Sequence, residues 1–200
     1  MLSIVQSAVT HCLDLMTNSR CYQLPFHNLD HTLEVYRHAL KIAAYENLTQ
    51  RETEIIAIAA LFHDTGNAET FDGHEEVGAN NALLFLRQED YPEKRITDVV
   101  NCIGATRTPQ RPMNKLERVI CDADLFHLGT KYFLMLNERL RTEWESHQNL
   151  YYSDLEWYGM NIDFLNDHDF HTAYGKQILE PVKQQNITLF ESILTNIEYI

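Results

Sequence analysis

Glycine and proline are scarce in this sequence, at 7 and 5 of 200 residues. A turn-rich β fold needs more of both, so the scarcity favours helices. Basic residues are also few, with 16 Lys and Arg against 29 Asp and Glu and a formal charge of -13. That balance excludes a general binder of nucleic-acid duplexes, whose phosphates demand Lys and Arg. A nucleotide substrate stays admissible, because one bound cation can invert the local field. Cys12, Cys21, Cys102 and Cys121 form no C-x-x-C pair and no zinc spacing. They read as buried thiols and suit a reducing compartment. No apolar run reaches the roughly 18 residues of a membrane span, so no membrane partner is expected. The opening stretch MLSIVQSAVTHCLDLMTNSR lacks a basic leader and carries His11 and Asp14. It reads as an amphipathic helix rather than a secretion signal, and the expected location is cytoplasmic.

What the chain has in abundance is helical periodicity. Leu2, Val5, Val9, Cys12 and Leu13 fall on one face of a first helix. A second is predicted from about Asp30 to Tyr45, with Leu33, Tyr36, Leu40 and Ala43 inward. Thr49 and Glu52 spell a capping box that opens a third, apolar almost all round through IIAIAALFH. Such a helix belongs at the buried centre of a domain. Further helices are expected over His74 to Arg87, Pro92 to Thr106, Lys115 to His127 and Lys131 to Ser146. Ser153 and Glu156 open another toward Leu165, and two more segments finish the chain. RTPQRPMN must be a loop, since its two prolines forbid a helix. The expectation is an all-α fold, a single-domain helical bundle over residues 1–200.

Three segments stand out against this background: FHNLDHTLEV, LFHDTG and ICDADLFHLG. His63 and Asp64 end a helix that is otherwise apolar. Burying a carboxylate there is costly unless something pairs with it, and a divalent cation is the strongest partner available. A histidine from one helix, a His-Asp pair from a second and an aspartate from a third could surround one ion. A bland alternative is that His63 and Asp64 merely cap the helix C-terminus. Mixed N/O donors suit Mn, Fe, Zn, Co, Ni or Mg without choosing among them.

The order His, His-Asp, Asp on successive helices resembles the HD-domain metal-dependent phosphohydrolases. HNLDHT, ALFHDTG, GHEEVGA and CDADLFHLG together look like a bacterial group of predicted HD phosphohydrolases. The resemblance implies an HD-type helical domain, with its metal-site core over about 21–130 and C-terminal helices over about 131–200. It implies that His31, His63, Asp64 and Asp124 hold one divalent metal ion, with Asp122 either behind a ligand or solvated. HN-x-x-H also resembles the start of the catalytic domain of eukaryotic cyclic-nucleotide phosphodiesterases, which makes His27 the general acid. His74 is in the place where diiron HD proteins hold a second metal. The following helix reads CIGATRTP, with no histidine between Ile103 and Pro109, and this counts against a full two-metal site. His74 is therefore expected to support a weaker second ion or to touch the phosphate.

Arg107, Arg111 and Lys115 cluster in an acidic chain, and Arg107 is the best of them for binding a substrate phosphate. His127, His168 and His171 are more often structural than catalytic. The expected activity is hydrolysis of a phosphate ester or anhydride, with Asp64 and His27 as the catalytic pair. The substrate is expected to be a nucleotide or another small phosphorylated metabolite. The rival reading is a nucleotide-sensing module whose metal is a structural staple.

Overall fold

The computed structural model describes residues 3–198. Among these residues there are nine α-helices and no strand. They are α1 (Ile4–Thr17), α2 (Leu29–Tyr45), α3 (Gln50–Phe62), α4 (His74–Gln88), α5 (Glu93–Ala105), α6 (Lys115–Asp124), α7 (Phe133–Gln148), α8 (Asp154–Asp167) and α9 (Glu180–Glu198). Short 3₁₀ turns occupy Arg20–Gln23, Thr65–Ala68 and Leu125–Gly129, and a π turn at Gly175–Leu179 runs into α9. The chain is all-α, as its periodicity predicts. It divides into two compact units, Met1–Asp124 and Leu125–Ile200.

In the first unit α3 is the hub, in contact with α1, α2, α4, α5 and α6. Its run Ile55 to Phe62 is buried without interruption, as the all-round apolar pattern requires. The Thr49–Glu52 capping box opens it: the Glu52 backbone N–H donates to Thr49 Oγ1 at 3.3 Å and the Thr49 N–H donates to Glu52 Oε2 at 2.8 Å.

Two helix faces depart from the expectation. α1 buries Ala8, Cys12 and Met16, while Leu13 is exposed and Val5 and Val9 are half-buried; Leu2 lies outside the described residues. α2 buries Thr32, Val35, Ala39, Ile42 and Ala43, leaving Leu33, Tyr36 and Leu40 half-buried. In α2 the buried positions Val35 and Ala39 follow His31 at steps of four, so its core-facing side is also the one that carries His31. The sixth helix also ends earlier than expected, at Asp124, and a 3₁₀ turn carries Leu125 to Gly129.

The second unit packs α8 against α9 and seats the Leu125–Gly129 turn against α7 and α9. Trp157 is buried, and its Nε1–H donates to Asn137 Oδ1 at 2.7 Å. Asn186 Nδ2 donates to the carbonyls of Leu128 (2.8 Å) and Thr130 (2.9 Å). Lys183 is buried too, bonded to the His168 carbonyl and 3.2 Å from the Glu180 carboxylate. The Ser153–Glu156 capping box forms as read. All four cysteines are buried. Burial pushes the thiols of Cys12, Cys102 and Cys121 up, which keeps them unreactive.

Two glycines fix α4 against the end of α3. A Cβ on Gly78 would meet the carbonyl oxygens of Phe62 and His63 at 2.7 and 2.8 Å, and one on Gly66 would fall onto the His74 carbonyl. Backbone cannot yield there as a flexible side chain would. Gly66→Ala should therefore cost about 1–3 kcal/mol by overpacking. Gly159→Ala on α8, with open space at its Cβ position, should instead gain up to about 1 kcal/mol from helix propensity. Urea midpoints check both, and a Gly66→Ala protein as stable as wild type would show that α4 can move away.

Candidate metal centre

The apolar helix α3 ends where its chemistry begins. His63 is its C-cap, and Asp64 is the N-cap of the 3₁₀ turn that follows. On an unbroken helix, neighbours point about 100° apart. The change of helix type lets this pair converge, and His63 Nε2 lies 3.2 Å from Asp64 Oδ2. His31 enters from the first turn of α2, where Asn28 Oδ1 accepts from the His31 N–H at 3.1 Å. Its Nε2 lies 3.3 Å from Asp64 Oδ2 and 3.7 Å from Asp124 Oδ1. Asp124, the last residue of α6, places Oδ1 3.4 Å from His63 Nε2. His31, His63 and Asp124 form a group that could hold a metal ion, each offering one donor.

These spacings have a simple meaning. Donor atoms about 2.1 Å from one ion stand about 3.0 Å apart at octahedral angles and about 3.4 Å at tetrahedral ones. Three of the four distances, 3.2, 3.3 and 3.4 Å, fall in that range, and the His31–Asp124 distance of 3.7 Å lies just beyond it. Hydrogen-bonding geometry supports the same view. His63 Nδ1 is 2.9 Å from the Ala60 carbonyl, so it carries the proton and donates it, leaving the Nε2 lone pair aimed at the carboxylates. His63 Nε2 and Asp64 Oδ2 are buried and make no hydrogen bond of ordinary geometry. Two facing acceptors, desolvated together, call for a proton or a cation between them.

The charges respond accordingly. Burial alone would lower the His31 imidazole, but close contacts with Asp124 and Asp64 overcome it and raise the pKa to about 9. His63, also opposed by burial, is held well above its usual value by the Asp64 charge and contacts with both aspartates. Burial would raise Asp64, yet the charges of His63 and His27 and the contacts of His31 and His63 keep it well below the carboxylate range. Asp124 is likewise depressed, against its burial, by His31 and His63. Two helix C-termini, those of α3 and α6, end in this cluster, and their negative dipole ends favour a cation.

A family model for the HD domain matches residues 28–129, just over half of the chain. The chain belongs to the HD-domain family. HD domains bind divalent metals and serve as metal-dependent hydrolases, and the His31, His63 and Asp124 group of this chain could hold such an ion. No curated protein matches the chain. Two solved structures share the fold. One is the Lin1889 protein of Listeria innocua, at TM-score 0.63 and 16% identity, covering 96% of each chain. The other is a predicted HD superfamily hydrolase from an uncultured Thermotogales bacterium, at TM-score 0.56 and 20% identity, covering 80% of this chain and 88% of that one. No helix among the described residues is long and apolar enough to cross a membrane.

The other candidate residues of this HD domain are unevenly placed. His27 stands just before the Asn28 cap, so no helix aligns it with His31, yet their ring centroids are 5.9 Å apart and His27 is 6.1 Å from the His74 ring. His74 opens α4, whose N-terminus has no side-chain cap. Its Nδ1 donates to the Phe71 carbonyl at 2.8 Å, and its Nε2 lies 3.3 Å from Asp64 Oδ1. Burial would lower His74, but Asp64 raises it to about 9. Asp64 thus spends one oxygen on His31 and His63 and the other on His74.

Arg107 stands apart from this cluster, exposed and paired with Glu76 at 3.2 Å. With Arg111, Glu75, Glu76 and Glu117 it lines a cavity of about 440 Å³. Asp122 is fully buried, which rules out the solvated alternative for it. His127, in the second unit, stacks on Phe133 at 6.2 Å, and His168 packs edge-on against Phe170 at 4.7 Å. Two residues of the site escape a reading of sequence alone. Arg20 stacks over Phe71 at 4.0 Å and donates from Nε to the Asn67 carbonyl at 2.5 Å, clamping the turn after Asp64. Gln110 reaches Asp124 from the proline-bounded loop. Neither residue stands in a motif, and only the folded path of the chain brings them here.

Proposed function

We propose that this protein is a metal-dependent phosphohydrolase that cleaves a phosphate ester or anhydride of a nucleotide or another small phosphorylated metabolite. The observation that carries the reading is the cluster of His31, His63, Asp64 and Asp124, with His63 and Asp64 buried and the other two half-buried, whose facing donor atoms stand near ligand spacing. These four residues would hold one divalent ion. A bound ion of this kind polarises a phosphoryl oxygen and acidifies a water. Asp64 would hold the ion through one oxygen, and its carboxylate would be placed to orient or deprotonate a water there. His27, beside both His31 and His74, delivers a proton to the leaving oxygen. His74, at the uncapped start of α4, meets the phosphate or supports a weaker second ion, since helix N-termini favour anions. Arg107 serves the outer part of the substrate. The four buried cysteines fit a cytoplasmic setting.

The test is hydrolysis of nucleoside monophosphates, triphosphates and cyclic nucleotides with added Mn, Mg, Co or Ni. One substrate class should turn over, only with metal present. His27→Ala should keep the ion and lose about 100-fold or more on substrates with poor leaving groups, the range of general acid catalysis. It should lose far less on nitrophenyl esters, whose leaving group needs no proton. Equal losses on both would remove His27 from the acid role. A protein that binds the ion yet hydrolyses nothing would be a sensing module.

A further inference from the structure

The loop from Thr106 to Asn114 joins α5 to α6, and its far end is pinned. Glu117 Oε2 accepts from the Met113 N–H at 2.6 Å, and Glu117 Oε1 accepts from Asn114 Nδ2 at 2.7 Å. From this loop Gln110 Nε2 donates to Asp124 Oδ2 at 3.3 Å and, more weakly, to the Thr106 carbonyl at 3.5 Å. The other oxygen of Asp124, Oδ1, is the one that faces His31 and His63. Gln110 therefore divides the carboxylate, leaving one oxygen for the centre and occupying the other. Its own Oε1 is buried and accepts no hydrogen bond. A desolvated amide oxygen without a donor is costly, and a water on a bound ion would have an O–H to donate to it.

We propose that Gln110 is a positioning residue of the metal centre: Nε2 fixes Asp124 for ligation through Oδ1 alone, and Oε1 accepts a hydrogen bond from the ion's water. This rests on the reading that His31, His63, Asp64 and Asp124 hold a divalent ion. Partners that orient metal ligands in this way are worth about 10- to 100-fold in affinity.

Calorimetric titration of Mn into the metal-stripped full chain tests it, with circular dichroism verifying the fold of each variant. Gln110→Ala and Gln110→Met should both weaken Mn binding by about 10- to 100-fold. The methionine keeps the bulk of the side chain but loses the donor and the acceptor. Met113→Ala, on the same loop and exposed, should bind as wild type does. At saturating Mn, Gln110→Met should lower kcat and leave KM in place. Wild-type affinity in Gln110→Met beside weakened Gln110→Ala would reduce the residue to packing and overturn the proposal. Unchanged kcat at saturating Mn would overturn the role of Oε1. A wild-type chain that binds no Mn would instead bring down the metal centre itself, and the role of Gln110 with it.

Discussion

Asp64→Ala should abolish turnover and strip the divalent ion from the protein, while leaving the helical circular-dichroism spectrum in place. The expectation follows from how many groups share this carboxylate. Its Oδ2 faces both His31 and His63 at 3.3 and 3.2 Å, and its Oδ1 faces His74 at 3.3 Å. If Asp64 is a ligand, as proposed, truncation should lower metal affinity by more than the about 100-fold at the upper end for an outer partner. The fold does not hang on the same side chain: Asp64 makes no capping hydrogen bond, and α3 is held by its apolar contacts. Atomic absorption after gel filtration, with the hydrolysis assay and far-ultraviolet spectra, reads all three quantities. An Asp64→Ala protein that retains its ion would remove Asp64 from the ligand set.

The second large effect is a crossing of two pH dependences. In the chelated chain His31 and His74 are lifted to about 9, against about 6.5 in the unfolded state. A raised folded pKa contributes stability that is complete below the unfolded value and lost as pH climbs through the folded one. Asp64 and Asp124 are depressed, so their contribution is present above the ordinary carboxylate range and lost as pH falls. The chelated chain should thus lose thermal stability between about pH 6.5 and 9. Metal binding runs the other way, because imidazoles must shed protons before they ligate. The Tm gain on adding Mn should therefore grow across the same window. Melting curves with chelator and with Mn, taken at half-unit steps, give both trends. A gain that stays flat with pH would mean that these histidines are not the ligands.

Much of this architecture is legible before folding, for physical reasons that differ by residue. Thr49 and Ser153 announce helix starts because a hydroxyl followed three places later by a carboxylate has one favourable local use. His63 and Asp64 stand out because ionisable groups at the end of an apolar helix demand a partner. The rotation of α1 and α2 is less legible. Ala8, Thr32 and Ala39 carry little hydrophobic signal, yet they are among the buried residues. Arg107 reads as a phosphate ligand on charge alone, whereas the folded chain sets Glu76 against it. Gln110 is silent in sequence, since an amide between two prolines looks like any solvated loop residue. Its place beside Asp124 depends on the path of the loop, which no local pattern encodes.

The carbonyls of Ala60 and Phe71, which take the Nδ1 protons of His63 and His74, have a consequence for how this centre tolerates mutation. Both acceptors are main-chain atoms, present whatever residue occupies positions 60 and 71. The tautomer of each ring is therefore stored in the course of the backbone and not in the identity of a neighbour. Sequence drift around the site can be extensive without reorienting either imidazole, provided the turns that present those two oxygens keep their shape.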